Sequence, residues 1–177
     1  MRRLSPWLIR AAAEGRPYEK MIDKTTCKNR KIIRLHHELY QQSDQPFSIT
    51  ICTFNKIPIF QNEIFAKPIF ENILQGPLSS ETELFAVCLM PDHIHLLIAP
   101  KNNASLVKII DRWKSFSTNL LHRQGFEGPV WQRSFYDHAL RKEESIKTVS
   151  EYIVQNPIRR GLVDKWEKYS YSWHRWQ

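Results

Sequence analysis

Leu84-Phe-Ala-Val-Cys-Leu-Met-Pro-Asp-His-Ile-His-Leu-Leu-Ile-Ala-Pro100 is the stretch whose reading decides the fold. Two apolar runs, Leu84–Met90 and His93–Ala99, are separated by Pro91-Asp92. This pattern predicts a hairpin with a tight turn, or one long strand bulged at the proline. In both cases the histidines open the second run. Strand side chains alternate faces with period two, so His93 and His95 point one way and Ile94 the other. Two imidazoles on one face suit a single divalent metal ion. Taken alone, the piece reads more simply as two histidines at a strand end.

Working outward, Pro46-Phe-Ser-Ile-Thr-Ile-Cys-Thr-Phe54 alternates and is rich in β-branched residues, which predicts the first strand. Asn55-Lys56 reads as a turn, with Ile57–Phe60 continuing the strand register. Asn62 to Gln75 reads as a helix despite Pro68, and Gly76-Pro77 closes it. Ala104–Arg123 is amphipathic, with Leu106, Ile109, Ile110, Trp113, Phe116, Ser117, Leu120 and Leu121 as its apolar stripe. Val130–His138 reads as another strand. A last helix begins near Glu143, carries Ile146, Val149, Tyr152 and Ile153 at helical spacing, and ends at Pro157. Strand, helix, hairpin, helix, strand, helix fits an α+β sandwich: an antiparallel sheet with helices on one face.

Tyr152 and Asn156 are four residues apart, which puts a phenol and a carboxamide on one helix face. Such a pair offers a nucleophile and a metal-ligand oxygen, and equally an interface tyrosine beside a helix-terminal asparagine. Between the histidines and this helix lies Trp131-Gln-Arg133-Ser-Phe135-Tyr136-Asp-His138-Ala-Leu-Arg141. The three segments together, His93-Ile94-His95, Trp131–Arg141 and Tyr152-Ile-Val-Gln-Asn156-Pro157-Ile-Arg-Arg-Gly161-Leu-Val163, resemble the REP-associated tyrosine transposases. These form a branch of the single-tyrosine HUH (histidine-hydrophobe-histidine) endonucleases. The resemblance runs from roughly Pro46 to Trp173, and the residues before it match nothing in the family.

That resemblance implies a ferredoxin-like antiparallel sheet with helices packed on it, and it implies roles. Tyr152 would be the nucleophile. His93, His95 and Asn156 would hold Mg²⁺ or Mn²⁺. The reaction would cut single-stranded DNA through a 5′-phosphotyrosine link, at hairpin-forming repeats in this family. Both sign and chemistry fit a cation in that role: a phenol with an ordinary pKa near ~10 is a poor nucleophile, and a metal polarises the phosphate and steadies the departing oxygen. Asp92 reads first as a turn residue and second as an acceptor orienting an imidazole. His138 reads as a structural strand-end histidine. Of Trp131, Phe135 and Tyr136, at least two are expected in the core, with any exposed ring free to stack on unpaired bases.

The chain has 177 residues and a formal net charge of +8, which favours a polyanionic partner. Arg112, Lys114, Arg133, Arg141, Arg159 and Arg160 are the candidate DNA contacts around the motifs. With 42% hydrophobic and 25% charged residues the composition is that of an ordinary globular protein. No apolar run is long enough to span a membrane, and Arg2-Arg3 is not followed by a signal-peptide core. Cys27, Cys52 and Cys88 fit neither a disulfide framework nor a zinc knuckle, so free thiols and a cytoplasmic location are expected. The expected organisation is a basic N-terminal extension over 1–44, the catalytic domain over 45–165 and a C-terminal tail over 166–177. Whether the protein acts as a monomer or a homodimer is left open.

Three competing readings are weighed. A catalytically inactive or domesticated sequence-specific DNA-binding protein would not need Tyr152, His93, His95 and Asn156 together. A histidine-triad nucleotide hydrolase requires a third histidine where the chain has Leu97. An RNA-binding ferredoxin-like domain would carry exposed aromatics on central strands, where this sequence has histidines.

Overall fold

The computed structural model describes Tyr40, residues 44–141 and residues 144–177. The sequence also allows helices at Pro6–Glu14 and Ile32–Gln42, and these segments lie outside the described residues, Tyr40 excepted. So does the basic segment 1–44 apart from Tyr40 and Asp44.

The deciding stretch is a hairpin. Strands β2 (Thr82–Met90) and β3 (His93–Pro100) pair antiparallel, with Met90 opposite His93 across the Pro91-Asp92 turn. The irregularity in their register falls between Leu84 and Ala86, away from the proline. Strand β1 (Phe47–Cys52) pairs with β3, β4 (Tyr136–Ala139) pairs with β1, and β5 (Ser172–His174) pairs with β2. The sheet order is β4-β1-β3-β2-β5, antiparallel throughout.

The helices follow from local signals. Helix α1 (Glu63–Gln75) starts at Asn62, whose side chain accepts the Ile64 N–H at 3.0 Å. Helix α2 (Pro77–Glu81) takes Pro77 in its first turn, where the missing N–H has no partner to lose. Helix α3 spans Leu106–Arg123. Helix α4 (Ile146–Val154) starts at Ser145, whose hydroxyl accepts the Thr148 N–H, and α5 (Asn156–Arg159) follows after Gln155. Pro157 therefore opens α5 as well as closing off α4. Among the described residues no helix is long and apolar enough to cross a membrane.

Alternation sorts the sheet into two faces. Ile49, Ile51, Val87, Leu89, Ile94, Leu96 and Ile98 point one way and form the main core with Ala66, Ile69 and Ile73 of α1 and Leu106, Ile109, Ile110, Trp113 and Leu121 of α3. Each such fully buried aliphatic side chain contributes about 1.5–3 kcal/mol. Thr50, Cys88, His93, His95 and Leu97 point the other way, beneath α4, which packs on β2, β3 and β5. Helices thus cover both faces, not one as the element order suggested. The signal was in β3 itself: all of its residues are buried, and a strand reads as continuously apolar only when both of its sides are covered.

Three further expectations change. Ile57–Phe60 does not extend β1, because Asn55 (φ 51°) and Lys56 (φ 55°) turn the chain and Pro58 follows. Val130–His138 is strand only from Tyr136. Upstream of it Trp131 makes a single bridge to Thr53. Residues 166–177 are no tail: β5 is an edge strand of the sheet, and Trp173 packs on the main core. At the other end, Tyr40 belongs with the domain. It is buried, stacks on Phe47 at 5.9 Å and donates its hydroxyl to Asp137 at 2.7 Å.

Candidate functional site

His93 and His95 sit side by side on the α4 face of β3, 8% and 6% exposed. Their rings are perpendicular with centroids 4.7 Å apart, and the two Nε2 atoms converge to 3.0 Å. Each Nδ1 is engaged on its far side. His93 Nδ1 meets Asp92 Oδ1 at 2.5 Å, and His95 Nδ1 meets Thr50 Oγ1 at 3.0 Å across the β1–β3 register. A carboxylate only accepts, so His93 donates from Nδ1, and in the neutral ring that leaves a lone pair at Nε2. His95 then has two choices. It donates Nε2–H to that lone pair, or it donates Nδ1–H to Thr50 and presents a second lone pair, an arrangement that needs a cation between the rings.

The electrostatics keep His95 unprotonated. Burial, then the neighbouring charges of His93, Arg159 and Arg160, hold His95 well below the ordinary histidine pKa of 6.5. Burial works against ionisation of Asp92, but its bond with His93 and the charges of His93, Arg160 and Lys56 outweigh it and leave the carboxyl below its ordinary value. Cys88, opposite His95 on β2, is a neutral thiol: burial pushes it up to about 12, against a hydrogen bond from Ser172. Among the described residues no group of three His, Cys, Asp or Glu side chains is placed to hold a metal ion. A third ligand drawn from the described residues would therefore be of another kind.

The helix supplies the rest. Val149, Ser150, Ile153 and Val154 face the sheet, and Tyr152 is half-buried on the flank of α4. The Arg159 guanidinium lies 3.7 Å above the Tyr152 ring, and its Nη2 donates to the Tyr152 carbonyl at 2.7 Å. Asn156 is half-buried. Its amide nitrogen donates to the Ile153 carbonyl at 2.9 Å, which fixes the carboxamide and leaves the oxygen side as an acceptor. Tyr152 and Asn156 are therefore not on one unbroken helix. They straddle the α4–α5 junction, where Gln155 keeps helical dihedrals and so preserves the i, i+4 spacing.

The proposed DNA contacts do not stay together. Arg159 and Arg160 are exposed and close enough to bias His95. Arg133 and Arg141 are exposed on the segments before and after β4. Arg112 lies on α3, behind the core face, and pairs with Glu81. Lys114 is the clearest correction. It is 8% exposed, and its ammonium donates to the carbonyls of Gln132 at 2.9 Å, Ser134 at 3.2 Å and Arg133 at 3.3 Å. Its task is to anchor the loop before β4. A helical pattern cannot reveal this, because the carbonyls it binds lie in a distant loop.

Trp131 and Phe135 are core residues, whereas Tyr136 is 49% exposed. In register Tyr136 opposes Thr50, which opposes His95, so this tyrosine shares the histidine face. His138 lies on the same face, with Nε2 3.0 Å from the Glu144 carboxylate, and ties β4 to the approach of α4. Thr50 is the residue that pattern reading missed. Only the strand register puts it beside His95.

An antiparallel α+β sheet with a histidine pair beneath a tyrosine-bearing helix is a fold seen in tyrosine transposases. Among solved structures it is matched by a REP-associated tyrosine transposase bound to a REP hairpin, with TM-score 0.57 and 20% identity, over 75% of this chain and 78% of that one. Residues 41–156 match the family described as "Transposase IS200 like", well over half of the chain, and the chain belongs to that family. It is 33% identical over 105 residues to a Haemophilus influenzae protein named "Putative REP-associated tyrosine transposase", covering 52% of this chain and 60% of that protein. It is 26% identical over 95 residues to the REP-associated tyrosine transposase of Escherichia coli K12, covering 52% and 55%. The chain thus spans less than two thirds of the length of either relative.

Proposed function

We propose that the chain is a metal-dependent single-stranded DNA endonuclease and strand transferase of the HUH type, acting at hairpin-forming repeats. The observation that carries this reading is the convergence of His93 Nε2 and His95 Nε2 to 3.0 Å with both Nδ1 atoms occupied behind them. Two nitrogens each about 2.1 Å from one ion and at right angles to each other would lie about 3.0 Å apart. Asn156 would complete the set through its carboxamide oxygen, leaving positions for phosphate oxygens. Mg²⁺ or Mn²⁺ bound there would polarise the scissile phosphate and steady the departing oxygen.

The chain's own groups do the rest. Asp92 and Thr50 hold the imidazoles in orientation. Tyr152 attacks the phosphorus: its Oη–P bond forms, the P–O3′ bond breaks, and the phenolic proton ends on the released 3′-hydroxyl. The guanidinium of Arg159 over the ring favours negative charge developing on the phenol. A 5′-phosphotyrosyl link keeps the energy of the broken bond, so attack by another 3′-hydroxyl rejoins strands without ATP. The hairpin-bound structural relative supports a hairpin substrate.

The test is incubation of the protein with labelled hairpin DNA carrying single-stranded flanks, in Mn²⁺, followed by a denaturing gel. A covalent protein–DNA adduct that maps to Tyr152 is expected. Cleavage that leaves a plain 5′-phosphate end and no adduct would make water the nucleophile and reject the proposal. An adduct on Tyr136 would move the nucleophile to β4.

A further inference from the structure

The loop that leaves β1 is built against the turn that carries Asp92. Thr53 N donates to the Asp92 carbonyl at 2.9 Å, and Thr53 Oγ1 lies within donating distance of the same carbonyl (2.9 Å) and of Ile57 O (2.8 Å). Phe60 N donates to the Pro91 carbonyl at 3.0 Å. Between these ties the backbone is strained. Asn55 and Lys56 both adopt left-handed dihedrals, at φ 51° and 55°. Asparagine tolerates that region, lysine does not favour it, and glycine, which would enter it freely, occupies neither position. The strain presents a particular surface: Phe54 and Ile57 are 38% and 45% exposed, with Lys56 between them. Strain of this kind persists where surrounding contacts enforce it, and it clusters at ligand clamps.

We propose that the Phe54–Ile57 turn binds one unpaired nucleotide adjacent to the scissile phosphate, Phe54 stacking on its base and Lys56 meeting a backbone phosphate. This rests on the reading of the histidine pair as a DNA-processing site. A nucleotide is the ligand that joins a flat ring to an anion in one unit, and an exposed aromatic two residues from a cation answers both parts. Continuity with the site supports this choice. Lys56 lies near enough to Asp92 for its charge to act on that carboxylate, and Asp92 is the partner of His93. The hydrogen bonds from Thr53 and Phe60 to the Asp92 and Pro91 carbonyls hold this turn against the loop that enters the histidine strand.

The experiment measures binding without chemistry: Tyr152→Phe protein in EDTA, titrated into fluorescein-labelled oligothymidylate and, separately, a blunt duplex. Phe54→Ala is expected to weaken oligothymidylate binding about fivefold or more and to leave the duplex unchanged, because stacking needs an unpaired base. Phe54→Trp should retain the affinity. Lys56→Ala should reduce the slope of log affinity against log salt by about 0.7, the share of one phosphate contact on a single strand. Lys56→Gly, which relieves the strain, should raise the thermal midpoint while lowering affinity. If Phe54→Ala melts early, Phe54→Leu keeps the apolar bulk, removes the ring and gives the same reading. Unchanged oligothymidylate affinity in a folded Phe54 variant overturns the proposal, and so does equal weakening on duplex, which would point to a general surface effect. Since neither metal nor nucleophile enters the measurement, failure of adduct formation elsewhere leaves this result standing.

Discussion

The two faces of one sheet are made from the same strands and behave as different materials. On the core face, Ile49, Ile51, Ile94, Leu96 and Ile98 are fully buried against α1 and α3 and carry no polar atom. One residue away along each strand, His93 and His95 are nearly as buried and Thr50 is half-buried, yet each of their side chains has a polar partner. The contrast shows what α4 contributes. It excludes water from the histidine face enough to keep His95 neutral, while the hydrogen bonds that the histidines make with Thr50 and Asp92 prevent that burial from becoming a stability cost. Position 174 shows the same face without that provision: His174, opposite Ala86 on β5, has a buried Nδ1 with no hydrogen-bond partner among the described residues.

The largest effect is expected from the tyrosine. Tyr152→Phe keeps the ring beneath Arg159 and removes one oxygen, so the melting curve and DNA affinity should hold while the covalent adduct falls below detection on a denaturing gel. Retained adduct in this variant would detach α4 from the histidine face functionally. Leu96→Ala, on the core face next to His95 along β3, should cost about 2–5 kcal/mol in denaturant unfolding. A cost below about 1 kcal/mol would mean that the core face is less tightly packed than its burial implies.

Asp92→Asn and Thr50→Val each remove support from one imidazole and should weaken Mn²⁺ binding by about 10–100-fold, read by calorimetry, with little change in fold. If both variants bind Mn²⁺ as tightly as the parent, the ion is not held by this pair. The pH response has a definite sign. Below 6.5 the unfolded chain protonates His95 and the folded chain resists, so the unfolded state binds more protons and stability falls with pH. Above 6.5 this contribution is fully present and flat. The metal-free thermal midpoint should therefore drop as pH is lowered from 6.5, and less so in His95→Gln. Identical slopes in the two proteins would show that His95 does not control the response. The smallest effect belongs to Arg112→Ala. Its exposed pair with Glu81 is worth about 0–1 kcal/mol, and it sits behind the core face, so cleavage should not change. A clear loss of DNA affinity in this variant would bring the core-face side into the substrate path.

Much of this contrast could be read along the chain. The period of two put His93 and His95 on one side and Ile94 on the other, and the helical period set the buried stripe of α3. Failures occurred where a partner is distant in sequence. Phe116, counted in the stripe, is 47% exposed, while Lys114, counted among the surface cations, is buried by the carbonyls of residues 132–134. The three-residue β5 carries no periodic signal of its own and forms because β2 offers it an edge.

The sequence by itself determined the two apolar strand runs, the facing of the histidines, the helix carrying Tyr152 and the family to which these motifs point, because alternation and helical spacing are local properties of the backbone. Only the tertiary structure decided that α4 covers the face opposite the core helices, that Thr50 stands behind His95, that Tyr136 shares the histidine face, and that Asn55-Lys56 bends the chain back to Asp92. Each of these depends on strand register or on hydrogen bonds between residues tens of positions apart. Such contacts are selected by how whole elements pack and satisfy one another's polar groups, and no short stretch of sequence encodes that choice.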